Sequence, residues 1–251
     1  GPPTRNCRYM NIKKLILWGA LFAVSGQSSV AQQREQFLAQ KIQPAIFGLS
    51  RVMMHDVVSP TIASRYYLYA TLGAYAIIAG HDPAFTHPSV FVHGLPQGLG
   101  TSLGIPPEPS LSALFCIYES GKLLLPSGMT LDEAYVALRE ECLKHGYDEM
   151  QVAAAQRLAR ETAQSIMEYA AGDGYRKLSA LQRYRPRRKD GYWFPTPPAY
   201  MDAVDPNWST MRTLLIDSSG QFPLKPPVAF DTLKGSPFYL LMEEVRRVGV
   251  N

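Results

Sequence analysis

Two small groups of residues in this chain carry side chains that could do acid–base or metal chemistry. The first is His55, followed directly by Asp56, with Arg65 a short distance later. An imidazole beside a carboxylate can act as a general base with its orienting partner. Adjacent residues of a helix do not face each other, however, and such pairs also occur in structural networks. The pattern therefore favours a structural polar cluster of His55, Asp56 and Arg65 between two helices over a catalytic pair.

The second group consists of His81, His87 and His93, with Asp82 beside the first of them. Their side chains could supply three nitrogens and one oxygen to zinc. The close spacing of known zinc motifs is missing, and no cysteine pair accompanies these histidines. We therefore expect loop histidines that do not meet, and we predict no catalytic, cofactor-binding or metal-binding residue in the chain.

A third candidate is the PxxP spacing of Pro195 and Pro198, which proline-recognition domains bind. The match is weak, because so short a pattern also arises in ordinary loops. We favour a rigid loop whose neighbours Tyr192, Trp193 and Trp208 pack on the helices.

The elements that would position these residues are predicted to be helical. The chain has 251 residues, 46% of them hydrophobic, which is enough for a sizeable core. Apolar spacing and helix-forming composition predict helices over 34–58, 60–78, 110–125, 130–145 and 148–171, a short one over 206–215 and a last one over 236–248. No alternating pattern is long enough to support a sheet. The fold class predicted is all-α, a helical bundle with long proline- and glycine-rich connections.

Several residues are expected to begin or bend these helices. Ser59 before Pro60 and Ser110 are predicted N-caps, and Thr130 with Glu133 forms the spacing of a capping box. Pro44 is expected to kink or divide the first helix. Cys116 and Cys142 lie in apolar helical surroundings, where two buried thiols are favoured over a disulfide.

Residues 1–31 are predicted to be upstream residues and a signal peptide. Lys13 and Lys14 precede an apolar stretch over 15–24, and Ser29-Val30-Ala31 is typical of a cleavage site. The apolar stretch is shorter than the roughly 20 residues that span a bilayer, so we expect no stable membrane span after cleavage. Residues 32–251 would then form a single helical domain, exported to the periplasm or the exterior. They contain 21 basic and 21 acidic residues, which does not favour a nucleic-acid partner.

Two stretches of the chain resemble a known family. One is Met53-Met54-His55-Asp56-Val57-Val58-Ser59-Pro60 with the following Ala63-Ser64-Arg65-Tyr66-Tyr67-Leu68-Tyr69. The other is Gly191-Tyr192-Trp193-Phe194-Pro195-Thr196-Pro197-Pro198-Ala199-Tyr200 with Asp205-Pro206-Asn207-Trp208, and the likeness continues to Ser236-Pro237-Phe238-Tyr239. These segments resemble the N-terminal helical half of bacterial vanadium-dependent haloperoxidase-like proteins, in the type 2 phosphatidic acid phosphatase superfamily.

The family's catalytic motifs have only near-misses here. The resemblance implies a lysine separated from Arg-Pro by six residues, then Pro-Ser-Gly-His, then Ser-Arg separated from a histidine by five residues. Lys177 is separated from Arg185-Pro186 by seven residues, which is one too many. Pro126-Ser127-Gly128 is followed by Met129 in place of histidine, and Thr71 stands where the histidine after Ser64-Arg65 would be. Their order along the chain is also reversed, so coincidence explains them better.

The resemblance implies a non-catalytic N-terminal portion of an exported haloperoxidase-like or acid phosphatase-like protein, inactive alone. Vanadate would belong to a complete family member, and no cofactor is expected in this chain. The partner implied is a C-terminal catalytic half, or a second copy of this chain. The alternative is a self-standing exported binding or scaffold protein that reuses this helical layer.

Overall fold

Six α-helices account for most of the regular structure over the described residues. The computed structural model describes residues 12–102, 108–218 and 220–250, with side chains from residue 30 onward. The helices are α1 (Ile12–His55), α2 (Pro60–His81), α3 (Pro109–Leu124), α4 (Asp132–Lys144), α5 (Glu149–Ala171) and α6 (Pro237–Gly249). Short 3-10 helices lie at Pro88–Val90, Gly128–Leu131, Tyr175–Ala180 and Trp208–Thr210. The described ranges contain no strand, so the all-α prediction is confirmed.

The chain divides into two compact units. The first contains residues up to 90 and 94–170, and the second contains 91–93 and the residues from 171 onward. Helices α1 to α5 belong to the first unit, apart from the last residue of α5, and α6 belongs to the second. The single domain expected over 32–251 stays a prediction.

The core of the first unit is built around α3, which is buried along most of its length. Phe115 and Leu111 of α3 are fully buried together with Leu49 of α1 and Ile77 of α2. Close packing here depends on Gly121, where an added Cβ would lie 2.8 Å from the Leu131 side chain and closer still to that of Leu49. Glycine at this position therefore lets α3 approach α1 and the 3-10 turn before α4.

Two predicted helix starts are confirmed, and a third cap comes from residues that the sequence argument did not use. Ser59 accepts a hydrogen bond from Ile62 N at 3.4 Å, and Ser236 accepts one from Tyr239 N at 3.1 Å. At the start of α5, Gln151 N donates to Asp148 Oδ1 at 2.7 Å while Asp148 N donates to Gln151 Oε1 at 3.0 Å. This is the reciprocal pattern of a capping box.

Other predicted boundaries are wrong. Helix α3 begins one residue before Ser110, with Glu108 at the cap position and no side-chain cap bond. Thr130 does not cap α4, because its hydroxyl donates to the Ser127 carbonyl within a 3-10 turn. Only Trp208–Thr210 is helical within 206–215. Pro44 lies inside α1 without dividing it.

The predicted leader lies mostly beyond the described side chains. Residues 1–11, including Cys7 and Met10, fall outside the described residues, and 12–31 continue as part of α1. No helix over the described residues combines the length and apolar character that a membrane crossing requires. The signal peptide stays a prediction.

The two remaining cysteines are free and buried, as predicted. Burial is the main reason that the pKa of Cys116 and that of Cys142 are each raised to about 12. A thiol in that state stays protonated near neutral pH and is a poor nucleophile.

Candidate functional site

The end of α1 places Asp56 against a distant turn. Val58 N donates to Met53 O at 2.9 Å and Val57 N to Met54 O at 3.3 Å, the bonds that close a helix in a Schellman motif. Val57 occupies the left-handed position with φ of 51°, where glycine is usual. A β-branched residue is strained in that conformation. The chain therefore turns sharply just after Asp56.

The Asp56 carboxylate accepts two hydrogen bonds from one residue. Ser127 Oγ donates to Asp56 Oδ1 at 2.5 Å and Ser127 N donates to Asp56 Oδ2 at 3.0 Å. The bond from the Ser127 hydroxyl is the main reason that the pKa of Asp56 lies below its ordinary value. Partial burial acts in the opposite direction and raises the pKa, whereas the Ser127 amide and the neighbouring His55 lower it further. A carboxylate held in this way anchors a turn and is a weak base at neutral pH.

His55 lies on the solvent side of the same helix end. Its side chain is exposed and lines an open depression of about 640 Å³ together with Arg51 and Glu133. The Asp56 carboxylate faces Ser127, so the two members of the sequence pair make different contacts.

Arg65 lies in α2 and is buried, with 9% of its surface exposed. Its Nη2 donates to the Ala170 carbonyl at 3.2 Å. The guanidinium also stacks over the rings of Tyr66 and Tyr69, with centroids at 5.7 and 5.0 Å. These contacts tie α2 to α5. The grouping of His55, Asp56 and Arg65 into one cluster stays a prediction.

A second polar network, centred on Glu119 of α3, was missed by the sequence argument. Glu119 is 6% exposed and accepts a hydrogen bond from Tyr135 Oη at 2.8 Å. Lys122 Nζ and Arg160 Nε lie 3.8 and 3.6 Å from its carboxylate oxygens, and Lys122 also pairs with Asp132 at 2.5 Å. Burial, followed by the Glu119 contact, raises the pKa of Tyr135. The network joins α3, α4 and α5, and its donors and acceptors are paired with each other.

The three loop histidines each have their own local contacts. His81 Nδ1 is 2.8 Å from the Ile77 carbonyl, and His87 Nε2 is 2.8 Å from the Leu99 carbonyl. His93 Nε2 lies 3.8 Å from Asp217 Oδ1. Across the part of the chain that the structure describes, no group of three His, Cys, Asp or Glu side chains is placed to hold a metal ion.

The near-miss motifs are also engaged locally. Ser64 Oγ donates to the Thr61 carbonyl, and Thr71 Oγ1 to the Tyr67 carbonyl. Ser127 is used by Asp56, and an added Cβ at Gly128 would lie 2.6 Å from the Gly121 carbonyl oxygen. In the Pro-Ser-Gly turn, Ser127 therefore binds the end of α1, and Gly128 allows close packing against Gly121 of α3.

In the second unit, the basic loop lies beside exposed aromatic rings. Arg187 stacks over Tyr192 at 5.3 Å and Arg188 over Phe194 at 5.8 Å. Trp193 is 49% exposed and its ring centroid is 5.9 Å from that of Tyr184. Tyr192 and Trp193 are about half exposed, and the expectation that they and Trp208 pack on the helices stays a prediction.

No protein-family model matches the chain, and no curated protein matches it. Among solved structures, the chain is similar to the one described as the first bacterial vanadium-dependent iodoperoxidase, with a TM-score of 0.70 and 26% sequence identity. The similarity covers 83% of this chain and 49% of the iodoperoxidase chain. This chain therefore spans about half the length of that protein, and its fold is haloperoxidase-like.

Proposed function

We propose that this chain is a non-catalytic helical portion of an exported vanadium haloperoxidase-like or acid phosphatase-like protein, whose catalytic residues lie in a portion that the chain does not contain. One observation carries this proposal, the similarity to the bacterial iodoperoxidase over 83% of this chain and only 49% of the other. The matched fold thus accounts for nearly all of one chain and half of the other. The role expected here is to support a catalytic portion.

The chemistry of an oxyanion site supports the same proposal. Vanadate and phosphate need several cationic donors that converge on one point, and a histidine to ligate or attack. Arg65, the buried arginine of the near-miss motifs, is bound to a backbone carbonyl and stacked on two tyrosine rings. Met129 stands where the second motif has histidine, and Thr71 where the third has it. These residues do not fit vanadate, so no catalytic step is assigned to them.

Export is proposed from the leader alone. The Lys13-Lys14 pair, the apolar stretch over 15–24 and the small residues Ser29-Val30-Ala31 have the order of a signal peptide. A fusion of residues 10–40 to a reporter enzyme that folds only outside the cytoplasm tests it. Reporter activity that disappears when Leu15 and Leu17 are replaced by charged residues is the expected result, and an inactive intact fusion would contradict export.

The alternative is a self-standing exported binding or scaffold protein. The first unit favours it, because it has a contiguous buried core of its own. Sequencing beyond the codon for Asn251 separates the two. An open reading frame with the missing motifs supports the catalytic-support role, whereas a stop codon there and a stable, monodisperse product support the scaffold.

The activity test uses the purified chain with hydrogen peroxide, iodide or bromide and added vanadate, and separately with a phosphomonoester. The bacterial iodoperoxidase serves as the positive control. We expect no turnover, because no cationic cluster with a placed imidazole is expected in this chain. Turnover that survives purification and disappears in a His55→Ala variant would overturn the non-catalytic role and make the end of α1 an active site.

A further inference from the structure

The second unit carries many apolar side chains and buries almost none of them. Among the described residues of 171–250, only Asp173 is buried. The large apolar residues of this segment that remain exposed are Leu181, Tyr184, Tyr192, Trp193, Phe194, Tyr200, Met201, Val204, Leu215, Phe222, Leu224, Val228, Phe230, Leu233, Leu240, Leu241, Met242, Val245, Val248 and Val250. This segment has no apolar core of its own in the described structure.

Its composition is unlike that of a disordered tail. Disordered segments combine low hydrophobicity with high net charge. Residues 171–251 instead contain frequent aromatic and aliphatic side chains, with 12 basic and eight acidic residues. An ordered segment must bury apolar surface to offset the conformational entropy that it loses. Another surface must therefore cover the exposed apolar side chains of residues 171–251.

Helix α6 shows which face must be covered. Phe238, Leu241, Met242, Val245 and Val248 follow the i, i+3, i+4, i+7 spacing that places them on one side of a helix. The last four of these are 45–68% exposed. An isolated helix of 13 residues is marginal in water, so its stability depends on packing of that side. We call this side the α6 stripe.

A groove beside the basic loop presents a second apolar surface in the same unit. It has a volume of about 720 Å³ and is lined by Tyr184, Trp193, Pro195, Pro198, Met201 and Val204, among others. Tyr192, Trp193 and Phe194 are 42–49% exposed. Aromatic side chains bury 150–250 Å² each, so these three expose roughly 300 Å² together. That already matches the lower end of the largest apolar patch on a typical monomer.

We propose that the α6 stripe and this groove dock a second helical polypeptide portion, one whose apolar docking face is bordered by carboxylates. The inference rests on the proposed function, and it adds the surface and the chemistry of its partner. The similar iodoperoxidase chain is about twice as long as the matched part, so a portion of suitable size exists in that protein. We specify carboxylates because Arg185, Arg187, Arg188 and Lys189 lie in the chain between two groove residues, Tyr184 and Trp193, and all four are exposed.

A second copy of this chain is a poorer occupant. A symmetric pair presents the same patch from both subunits, so two basic rims would meet. Like charges placed opposite each other in an interface disfavour the pairing. The α6 stripe alone is also short, since 13 residues extend only about 20 Å.

The test uses the intact chain and two synthetic amphipathic helices as probes. Both peptides carry leucines at i, i+3, i+4 and i+7; one is bordered by glutamates and the other by lysines. Binding is followed by Trp fluorescence and by hydrogen exchange of α6 at two salt concentrations. We expect the glutamate peptide to bind at least tenfold more tightly, to protect α6 and to weaken as salt rises.

Variants show whether the proposed face is used. Leu241→Gln with Val245→Gln on the stripe should reduce peptide affinity at least tenfold, whereas Leu240→Gln with Arg247→Gln on the opposite side of α6 should not. Both pairs are exposed, so circular dichroism should show the same unfolding midpoint for each. Equal binding of the two peptides, no binding of either, or protection of α6 by a dimer of the chain alone would overturn the proposal. The fluorescence and hydrogen-exchange readouts do not depend on catalytic turnover. Iodide oxidation by this chain would therefore refute the proposed function without affecting the docking result.

Discussion

The contact between Asp56 and Ser127 gives the sharpest prediction, because it joins positions 71 residues apart through two short hydrogen bonds. Hydrogen bonds to a charged group are each worth about 1.5–3 kcal/mol when buried, and partial exposure of Asp56 reduces this. We therefore expect Asp56→Ala to lower the free energy of unfolding by about 1–2 kcal/mol. For a chain of this size that corresponds to a fall of roughly 2–8 °C in melting temperature.

The pH dependence has a definite sign. The pKa of Asp56 is lower in the folded chain than its ordinary value, so folding favours the ionised form. The contribution is present in full above the unfolded carboxyl pKa of about 3.9, and it is lost as the pH falls through the lower folded value. Urea unfolding at pH 7 and at several values between 5 and 2 should show the Asp56→Ala deficit at neutral pH and a smaller deficit in acid.

A double-mutant cycle supplies the control. Ser127→Ala removes the hydroxyl donor but keeps the backbone N–H, so its loss should be smaller than that of Asp56→Ala. The two losses should not add, with a coupling energy near 1 kcal/mol, since contacting residues share the interaction. Equal stability of wild type and Asp56→Ala at pH 7, or fully additive losses, would refute this account of the turn.

The remaining predictions concern the two buried networks and two backbone positions. Arg65→Ala should lower the free energy of unfolding, measured in urea, by about 1–3 kcal/mol, because it leaves the Ala170 carbonyl without its donor. A similar loss of stability in His55→Ala would support one joint cluster, and unchanged stability would count against it. Glu119→Leu should lower the free energy of unfolding by about 1–3 kcal/mol, since it removes the acceptor of the buried Tyr135 hydroxyl. A loss below that of an exposed Glu→Leu control would be inconsistent with the network. Gly100→Ala should lower stability by at least about 2 kcal/mol in the same assay, because φ is 76° and the added Cβ would lie 2.6 Å from Ile77 N. Val57→Gly should raise the melting temperature, since relief of about 1–2 kcal/mol of left-handed strain exceeds the added chain entropy; a lower melting temperature would show that the strain is absent.

Local chemistry allowed much of the helical pattern to be predicted. Ser59 caps α2 as expected, and α6 begins where the last helix was predicted, with Ser236 as its cap, because each cap bond reaches only three residues along the chain. The end of α4 is also decided by nearby residues, because Gly146, just after the helix, adopts the left-handed conformation with φ of 85°. Interactions of this kind depend on neighbours in the sequence, and the residue types alone indicate them. The family resemblance of the sequence agrees with the haloperoxidase-like fold.

Other local signals failed where packing offered a better arrangement. Ser110 and Thr130 have the right type and spacing for caps, yet α3 begins earlier and the Thr130 hydroxyl binds the Ser127 carbonyl. A helix was predicted over 206–215, but only Trp208–Thr210 is helical there. Propensity is a weak preference that tertiary contacts readily override.

The partners of the polar side chains were decided by the tertiary structure. The Asp56 carboxylate binds Ser127, which a sharp turn and the close approach at Gly128 bring within reach, and no sequence pattern indicated that partner. Glu119 and Lys122 have the i, i+3 spacing of a helical ion pair. The Tyr135 and Arg160 contacts come from α4 and α5 and leave no pattern in the sequence. Residue types alone establish which side chains need a partner once buried. Which partner each one finds depends on how the helices pack, because the contacts join positions far apart in the chain and form only when the core has closed.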